Sequence, residues 1–402
     1  MLLFCFFAQI IESKAQTEYS YFPDNDWLST NPEDQGIDSN ILSQLYNYIE
    51  DYGLFIESVL IIRNGYIIDE NYLYNHQIYE EDQYPPYITS NIRYRQLHVL
   101  YSCTKSIVSL LIGIAIDKGF IDDTNQTFFS IFPDKWKPSY GDEGKKNITI
   151  KNLLTQSSGL QWDEATDAFS GWWSAGITLD YVLNKPLVAE PGTFFEYSSG
   201  NVHLLSAIIQ NKTGMKTSEF ANQYLFEPIG INISDWEWDE TDWEWGVGSL
   251  DNISFGGFGA YMTPRAMARI GLLCLNRGNW NGTQILSENW IAKSSSSHIT
   301  SDFAGNPGYG YLFWIAPDYY SAVGFLGQRI TIIPDLNIVV VFTAQDYYVD
   351  SNYDVIIDQY IRKAVISNSS PQIPGYNLWL MLGVASIISL ITIRNRNVKK
   401  NS

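Results

Sequence analysis

Cysteine is nearly absent from this chain: three occur in 402 residues, too few to form the disulfide framework of a small secreted scaffold. Cys5 falls in an apolar stretch at the start, Cys103 beside a candidate nucleophile and Cys274 in a helical run. Cys103 and Cys274 are read as free, buried thiols, with a Cys103–Cys274 bridge as the alternative. Histidine is nearly as scarce. His76, His98, His203 and His298 are scattered, with no His-x-His or His-x-x-x-His pair. A zinc hydrolase needs such a cluster, so neither metal nor cofactor is implied. Basic charge is in short supply as well, with a net charge of -19. Phosphate backbones would be repelled, which excludes nucleic acid as a partner.

Apolar and aromatic residues are plentiful. The chain is 45% hydrophobic and carries 13 Trp, 27 Tyr and 20 Phe, enough for a sizeable core in two domains or in one α/β unit with an insertion. Both ends look like targeting segments. Residues 1–15 are mostly apolar and close on Ser13-Lys14-Ala15, the pattern of a signal peptide. After a linker at 367–377, residues 378–393 hold no charge and as a helix would span about 24 Å. Arg394, Arg396, Lys399 and Lys400 lie in the 394–402 tail. That bias places the tail in the cytoplasm and the main domain outside, anchored by a transmembrane helix. Asn-x-Ser/Thr sites at Asn125, Asn147, Asn211, Asn232, Asn252, Asn281 and Asn368 fit an extracellular location.

The pattern between these ends alternates between two kinds of element. Residues 40–51 read as an amphipathic helix. Residues 58–62 and 66–71 read as strands joined at Asn64-Gly65, the strongest short hairpin signal. Further strands are expected far downstream at 309–315, 322–324, 329–333 and 338–344, followed by a helix at 353–366. The middle, 120–301, is mainly helical with aromatic-rich loops. The expectation is an α/β domain from residues 27–119 and 302–366, with an antiparallel sheet flanked by helices and built from both chain ends, and an all-helical insertion at 120–301. The site would lie in the cleft between them.

Three segments carry chemistry. Tyr101-Ser102-Cys103-Thr104-Lys105-Ser106 opens a helix that Gly119 closes, apolar almost all round from 107 to 116. Ser102 and Lys105 share one face of its first turn. A hydroxyl attacks poorly until a base takes its proton. Burial and the positive end of the helix dipole both favour a neutral lysine amine. Ser-x-x-Lys alone decides little, because a serine N-cap with an exposed lysine has the same spelling. The second segment is Pro191-Gly192-Thr193-Phe194-Phe195-Glu196-Tyr197-Ser198-Ser199-Gly200-Asn201, which runs into an apolar helix. Tyr197 beside an ammonium could exchange protons there, or could simply pack in the core. The third is Gly324-Phe325-Leu326-Gly327-Gln328 among the strands. There the N–H of Gln328 could join that of Ser102 in an oxyanion hole, or the glycines could mark a tight turn.

In this order the three segments resemble those of the class C β-lactamase family of serine hydrolases, which includes carboxylesterases, D-amino-acid peptidases and the hydrolase of 6-aminohexanoate dimers. The resemblance runs from Trp27 to Ile366. It includes Leu153-Leu154-Thr155-Gln156-Ser157-Ser158-Gly159-Leu160 and Met262-Thr263-Pro264-Arg265-Ala266-Met267-Ala268-Arg269. It implies that Ser102 is acylated, that Lys105 and Tyr197 share the base work, and that the backbones of Ser102 and Gln328, next to Gly327, hold the oxyanion. Two departures matter. The family places Asn two residues after the tyrosine, where this chain has Ser199, the nearest Asn being Asn201. The third motif usually offers Lys or His, whereas Phe325-Leu326-Gly327 supplies no cation for a substrate carboxylate. The missing cation favours an esterase or amidase acting on a neutral acyl group of a small-molecule or peptide substrate. A peptidase or transpeptidase, a true β-lactamase and a surface binding protein of the same fold remain the alternatives. Trp172-Trp173 and the stretch Trp236 to Trp245 either wall an apolar pocket or pack loops, and His203 reads as a core histidine.

Overall fold

The computed structural model describes residues 21–73, 96–170, 178–238, 252–301, 308–346 and 350–366. The expected signal peptide, the linker, the transmembrane run at 378–393 and the basic tail lie outside these residues, as do Trp172, Trp173 and Trp245.

Seven strands form one antiparallel sheet: β1 (Ile56–Arg63), β2 (Tyr66–Tyr72), β3 (Gly308–Tyr309), β4 (Trp314–Ile315), β5 (Tyr320–Gly324), β6 (Gln328–Ile333) and β7 (Ile338–Ala344). Their spatial order is β2-β1-β7-β6-β5-β4-β3. Chain ends far apart in sequence meet at β1 and β7, where Ile62 faces Val339 and Val59 faces Phe342. Side chains alternate across the sheet. Leu60, Ile62, Val339 and Val341 enter one core, and Val59, Ile61, Val340 and Phe342 enter the other. With both faces covered, the strands read as continuous apolar runs rather than alternating ones.

On the outer face lies α1 (Ser39–Asp51), its first turn capped by the Asp38 carboxylate, which accepts from the N–H groups of Asn40 and Ile41. The inner face receives α2 (Cys103–Asp117), which is buried at every position from Cys103 to Ala115. This helix packs on β5 and β6 on one side and on α3 (Ser199–Thr213) on the other. Its all-round hydrophobicity follows from lying between the sheet and the helical region.

Two expected boundaries move. Residues 309–315 are a tight hairpin rather than one strand, with Tyr309 opposite Trp314. Leu312 turns the chain at a φ of 60°. The helical region also ends before 301, because α4 (Pro264–Leu275) packs against β6 and β7 and belongs to the sheet layer. Its amphipathic face explains this. Ala266, Met267, Ile270 and Leu273 are buried in the core shared with the sheet. The C-terminal helix begins as α5 (Asp350–Ile356) and winds into a π-helical stretch, Ile357–Arg362. Cys103 and Cys274 are free and buried.

Candidate active site

The turn ahead of α2 is held in a conformation that L-residues seldom adopt. Tyr101 has a φ of 45°, a left-handed geometry costing about 1–2 kcal/mol. Neighbouring backbone fixes it. The N–H of Leu100 donates to the carbonyl of Ala260 (2.9 Å), and the N–H of Cys103 to that of Leu100 (3.1 Å). The Thr104 hydroxyl accepts from the N–H of Ala260 at 3.1 Å. Ser102 itself makes no side-chain cap to its own helix. Its hydroxyl is therefore available for other work, and the N-cap reading of Ser-x-x-Lys fails on this geometry.

Lys105 decides the matter further, since its side chain is 1% exposed. The amine donates to Ser102 Oγ (3.0 Å), Ser199 Oγ (2.9 Å) and the carbonyl of Gly257 (2.8 Å). Three acceptors satisfy the three protons of an ammonium. Gly257 makes this possible by close approach: a Cβ there would lie 2.8 Å from the Cβ of Ser199. Burial pushes the amine down to about 8, opposed by the Glu164 carboxylate 3.7 Å away. At neutral pH the ammonium then predominates and the free base is the minor form.

Glu164 escaped the sequence reading. Its carboxylate accepts from the N–H of Ser199 (2.9 Å) and from the Ser199 hydroxyl, and it is oriented by Trp162 Nε1 at 2.7 Å. Ser199 therefore stands where the resemblance expects Asn, and it hands the lysine on to a carboxylate. Asn201 is not brought to the site: it is buried, and its amide points at Gln156 Oε1. The Thr-Gln-Ser-Ser-Gly stretch could have signalled a role for Gln156. Gln156 grips both neighbours of Tyr197, its carbonyl accepting from Glu196 N–H (2.8 Å) and its side chain from Ser198 N–H (2.6 Å).

That grip places the Tyr197 phenol in a hydrogen bond with Ser102. The Lys105 amine sits 4.8 Å above its ring, and the indole of Trp314 stacks on it at 5.7 Å. Burial, Tyr309 and Glu164 hold the phenol well above its ordinary value, so it is a neutral hydroxyl at pH 7. It can hand on a proton but does not rest as a phenolate.

The third segment is displaced relative to expectation. Gly324 and Gln328 face each other across the β5–β6 hairpin. The residue pressed against the nucleophile turn is Gly324, where a Cβ would lie 2.2 Å from the carbonyl oxygen of Leu100 and 3.3 Å from Cys103 N. Phe325, 44% exposed, sets its ring edge-on to Tyr101 at 5.5 Å. Gly327 instead packs against Tyr353, while Gln328 is buried, its amide donating to the carbonyl of Ala344 and its own carbonyl accepting from the Cys103 thiol. A three-residue turn separates the two ends of the motif, so Gly324-Phe325 abuts Leu100, Tyr101 and Cys103 around the nucleophile, Gly327 packs toward α5, and Gln328 reaches the nucleophile turn through its carbonyl at Cys103. Trp236 lies against Phe226 and Trp238 donates to the carbonyl of Phe255, and both also line a pocket with Leu97, Ser218 and Ile233. His203 is wholly buried beside Phe255.

This architecture, an antiparallel sheet with helices on both faces and a serine–lysine pair at the end of the central helix, is that of the β-lactamase and transpeptidase class. A family model described as Beta-lactamase matches residues 74–360, and the chain belongs to that family. It is 24% identical over 210 residues to the 6-aminohexanoate-dimer hydrolase of Paenarthrobacter ureafaciens, covering 48% of this chain and 49% of that protein. The chain thus spans about half the length, or less, of the curated relatives it matches. Among solved structures it superposes on the octameric penicillin-binding protein homologue from Pyrococcus abyssi with a TM-score of 0.60 at 18% identity, over 81% of this chain and 79% of that one. With EstCE1, a hydrolase with promiscuous acyltransferase activity, the TM-score is 0.61 at 18% identity, over 83% of this chain and 100% of the other. These likenesses establish the fold.

Proposed function

We propose that the protein hydrolyses an ester or amide with an uncharged acyl group through an acyl-Ser102 intermediate. The observation that carries this reading is the contact set in which the partly buried Ser102 meets both Lys105, which is buried, and Tyr197. In the free-base form, Lys105 takes the Ser102 proton as Oγ attacks the carbonyl carbon. The N–H groups of Ser102 and Phe325, at the helix start and the abutting hairpin, are the donors for the oxyanion. The ammonium and the Tyr197 phenol then return the proton to the leaving group, and water repeats the cycle on the acyl ester. Preference for a neutral acyl group rests on the third segment. Ala322-Val323-Gly324 and Phe325-Leu326-Gly327 both lack a cation, and Tyr101 and Phe325 present aromatic edges instead.

A fluorophosphonate probe should label the wild type and not Ser102→Ala; equal labelling of both defeats the nucleophile assignment. Across p-nitrophenyl esters, D-amino-acid amides and nitrocefin, turnover is expected on esters and amides. Turnover of nitrocefin alone would make the protein a β-lactamase in activity as well as in family.

We further propose that the domain works outside the cell and is anchored through residues 378–393. What supports this is the uncharged run and the four basic residues after it. Among the described residues no helix is long and apolar enough to cross a membrane. The full chain should stay with membranes through an alkaline carbonate wash and be released when truncated after Ser370. Release of both forms would remove the anchor.

A further inference from the structure

Lys105 needs a partner that holds its amine on Ser102 and governs when it loses a proton. The amide expected at position 199 is a serine. A hydroxyl is too short to reach further by itself, and Gly257 packs close on Ser199, where a Cβ on the glycine would lie 2.8 Å from the Cβ of the serine. The carboxylate arrives from a different segment instead. Glu164 opens the π-helical stretch Glu164–Ser170. One of its oxygens accepts from the Ser199 hydroxyl, and the other accepts from the Ser199 N–H at 2.9 Å and from Trp162 Nε1 at 2.7 Å. The Ser199 hydroxyl has one proton and gives it to Glu164, so its lone pair is what receives Lys105 at 2.9 Å. The three groups form a chain of fixed direction, from ammonium to hydroxyl to carboxylate. The direct gap between Lys105 and Glu164 is 3.7 Å.

We propose that Glu164, acting through Ser199, is the positioning residue that holds the Lys105 amine on Ser102 and sets the pH at which that amine becomes a base. This rests on the acyl-Ser102 reading above and deepens it.

Other groups around Lys105 leave Glu164 as the charge that matters among the described residues. On the same helix, burial raises the Cys103 thiol far enough to keep it protonated, despite Arg329 of β6. Tyr197, from the loop before α3, and Tyr309, from β3, are neutral phenols held high by burial. The segment around Gly257 contributes a carbonyl. An opposite charge at this range raises a lysine by roughly 1–3 units, so loss of the carboxylate lets burial prevail and the free base appears at lower pH.

The test is the burst of p-nitrophenol from a p-nitrophenyl ester, followed from pH 5 to 10 on the full chain. Wild type should gain acylation rate through an inflection near 8. In Glu164→Gln that inflection should fall by roughly one unit or more, while Glu164→Asp, which keeps the charge, should stay near wild type. Ser199→Ala keeps the carboxylate but loses the bridge. Its inflection should stay in place while its rate falls roughly tenfold or more, as expected for a base no longer held in line. A Glu164→Gln profile that overlays the wild type overturns the proposal. Should that variant lose its cooperative melt, Ser199→Ala decides, and an unchanged rate there overturns it equally. Ester turnover independent of Ser102 would instead sink the functional reading, and the Ser102→Ala control separates the two failures.

Discussion

Lys105→Met lowers the rate of Ser102 acylation by about a thousandfold, the middle of the range for loss of a positioned general base, yet leaves the protein folded. The first half follows from the contact set. No other amine reaches Ser102 among the described hydrogen bonds, and the neighbouring phenol of Tyr197 is too weak an acid to rest as a phenolate. The second half follows from burial. Removing one partner of a buried ion pair costs up to about 3–5 kcal/mol, and less here, because the Glu164 carboxylate left behind is 23% exposed and keeps its bonds from Ser199 and Trp162. The orphaned acceptors at Ser199 and Gly257 add about 1–3 kcal/mol. The expected melt is therefore lowered by several degrees but still cooperative, beside a rate that has collapsed. Stopped-flow acylation with a p-nitrophenyl ester and a thermal melt check the two halves together. A variant that keeps more than a tenth of the wild-type rate at pH 8 removes Lys105 from the mechanism. One that fails to melt cooperatively shows instead that the lysine is structural.

The proposed catalytic pair could be singled out from sequence because its spacing is local. Ser102 and Lys105 are one helical turn apart at the start of a segment apolar almost all round, and the structure decides between the buried and the exposed lysine by burying it. The hairpin at Asn64-Gly65 was legible as well, because turn chemistry and flanking strands agree, and so was the joining of both chain ends in one sheet. What could not be read was non-local. Glu164 is one of 44 acidic residues, and its meaning depends on a hydroxyl thirty-five residues later. The third segment slipped for another reason. Its two glycines, Gly324 and Gly327, offer the same local signal, and only the packing of Gly324 on Leu100 and Cys103 separates them. At 309–315 the aromatic run satisfied a strand pattern, yet Leu312 reverses the chain. The helix 264–275 was assigned by its neighbours in sequence, whereas its apolar face had already committed it to the sheet.

Tyr197→Phe separates two roles that the geometry places in one residue. The phenol donates its proton from a buried position where ionisation is costly, so its contribution belongs to the step in which a leaving group must be protonated. An amine is such a group, being a very poor leaving group as an anion. p-Nitrophenolate is stable without a proton. The phenylalanine ring preserves the stacking on Trp314 and the contact beneath the Lys105 amine, so the amine stays in place. Turnover of a D-amino-acid amide is therefore expected to fall by about 10²–10⁴-fold, the range for loss of general acid–base help, and acylation by a p-nitrophenyl ester by about tenfold or less. The measurement is kcat/KM on the two substrates in parallel, with KM on each tested for constancy. Equal losses on ester and amide would mean that Tyr197 acts before the leaving group departs, by helping to deprotonate Ser102. The neutral phenol would then have to be the base, against the burial that holds it protonated.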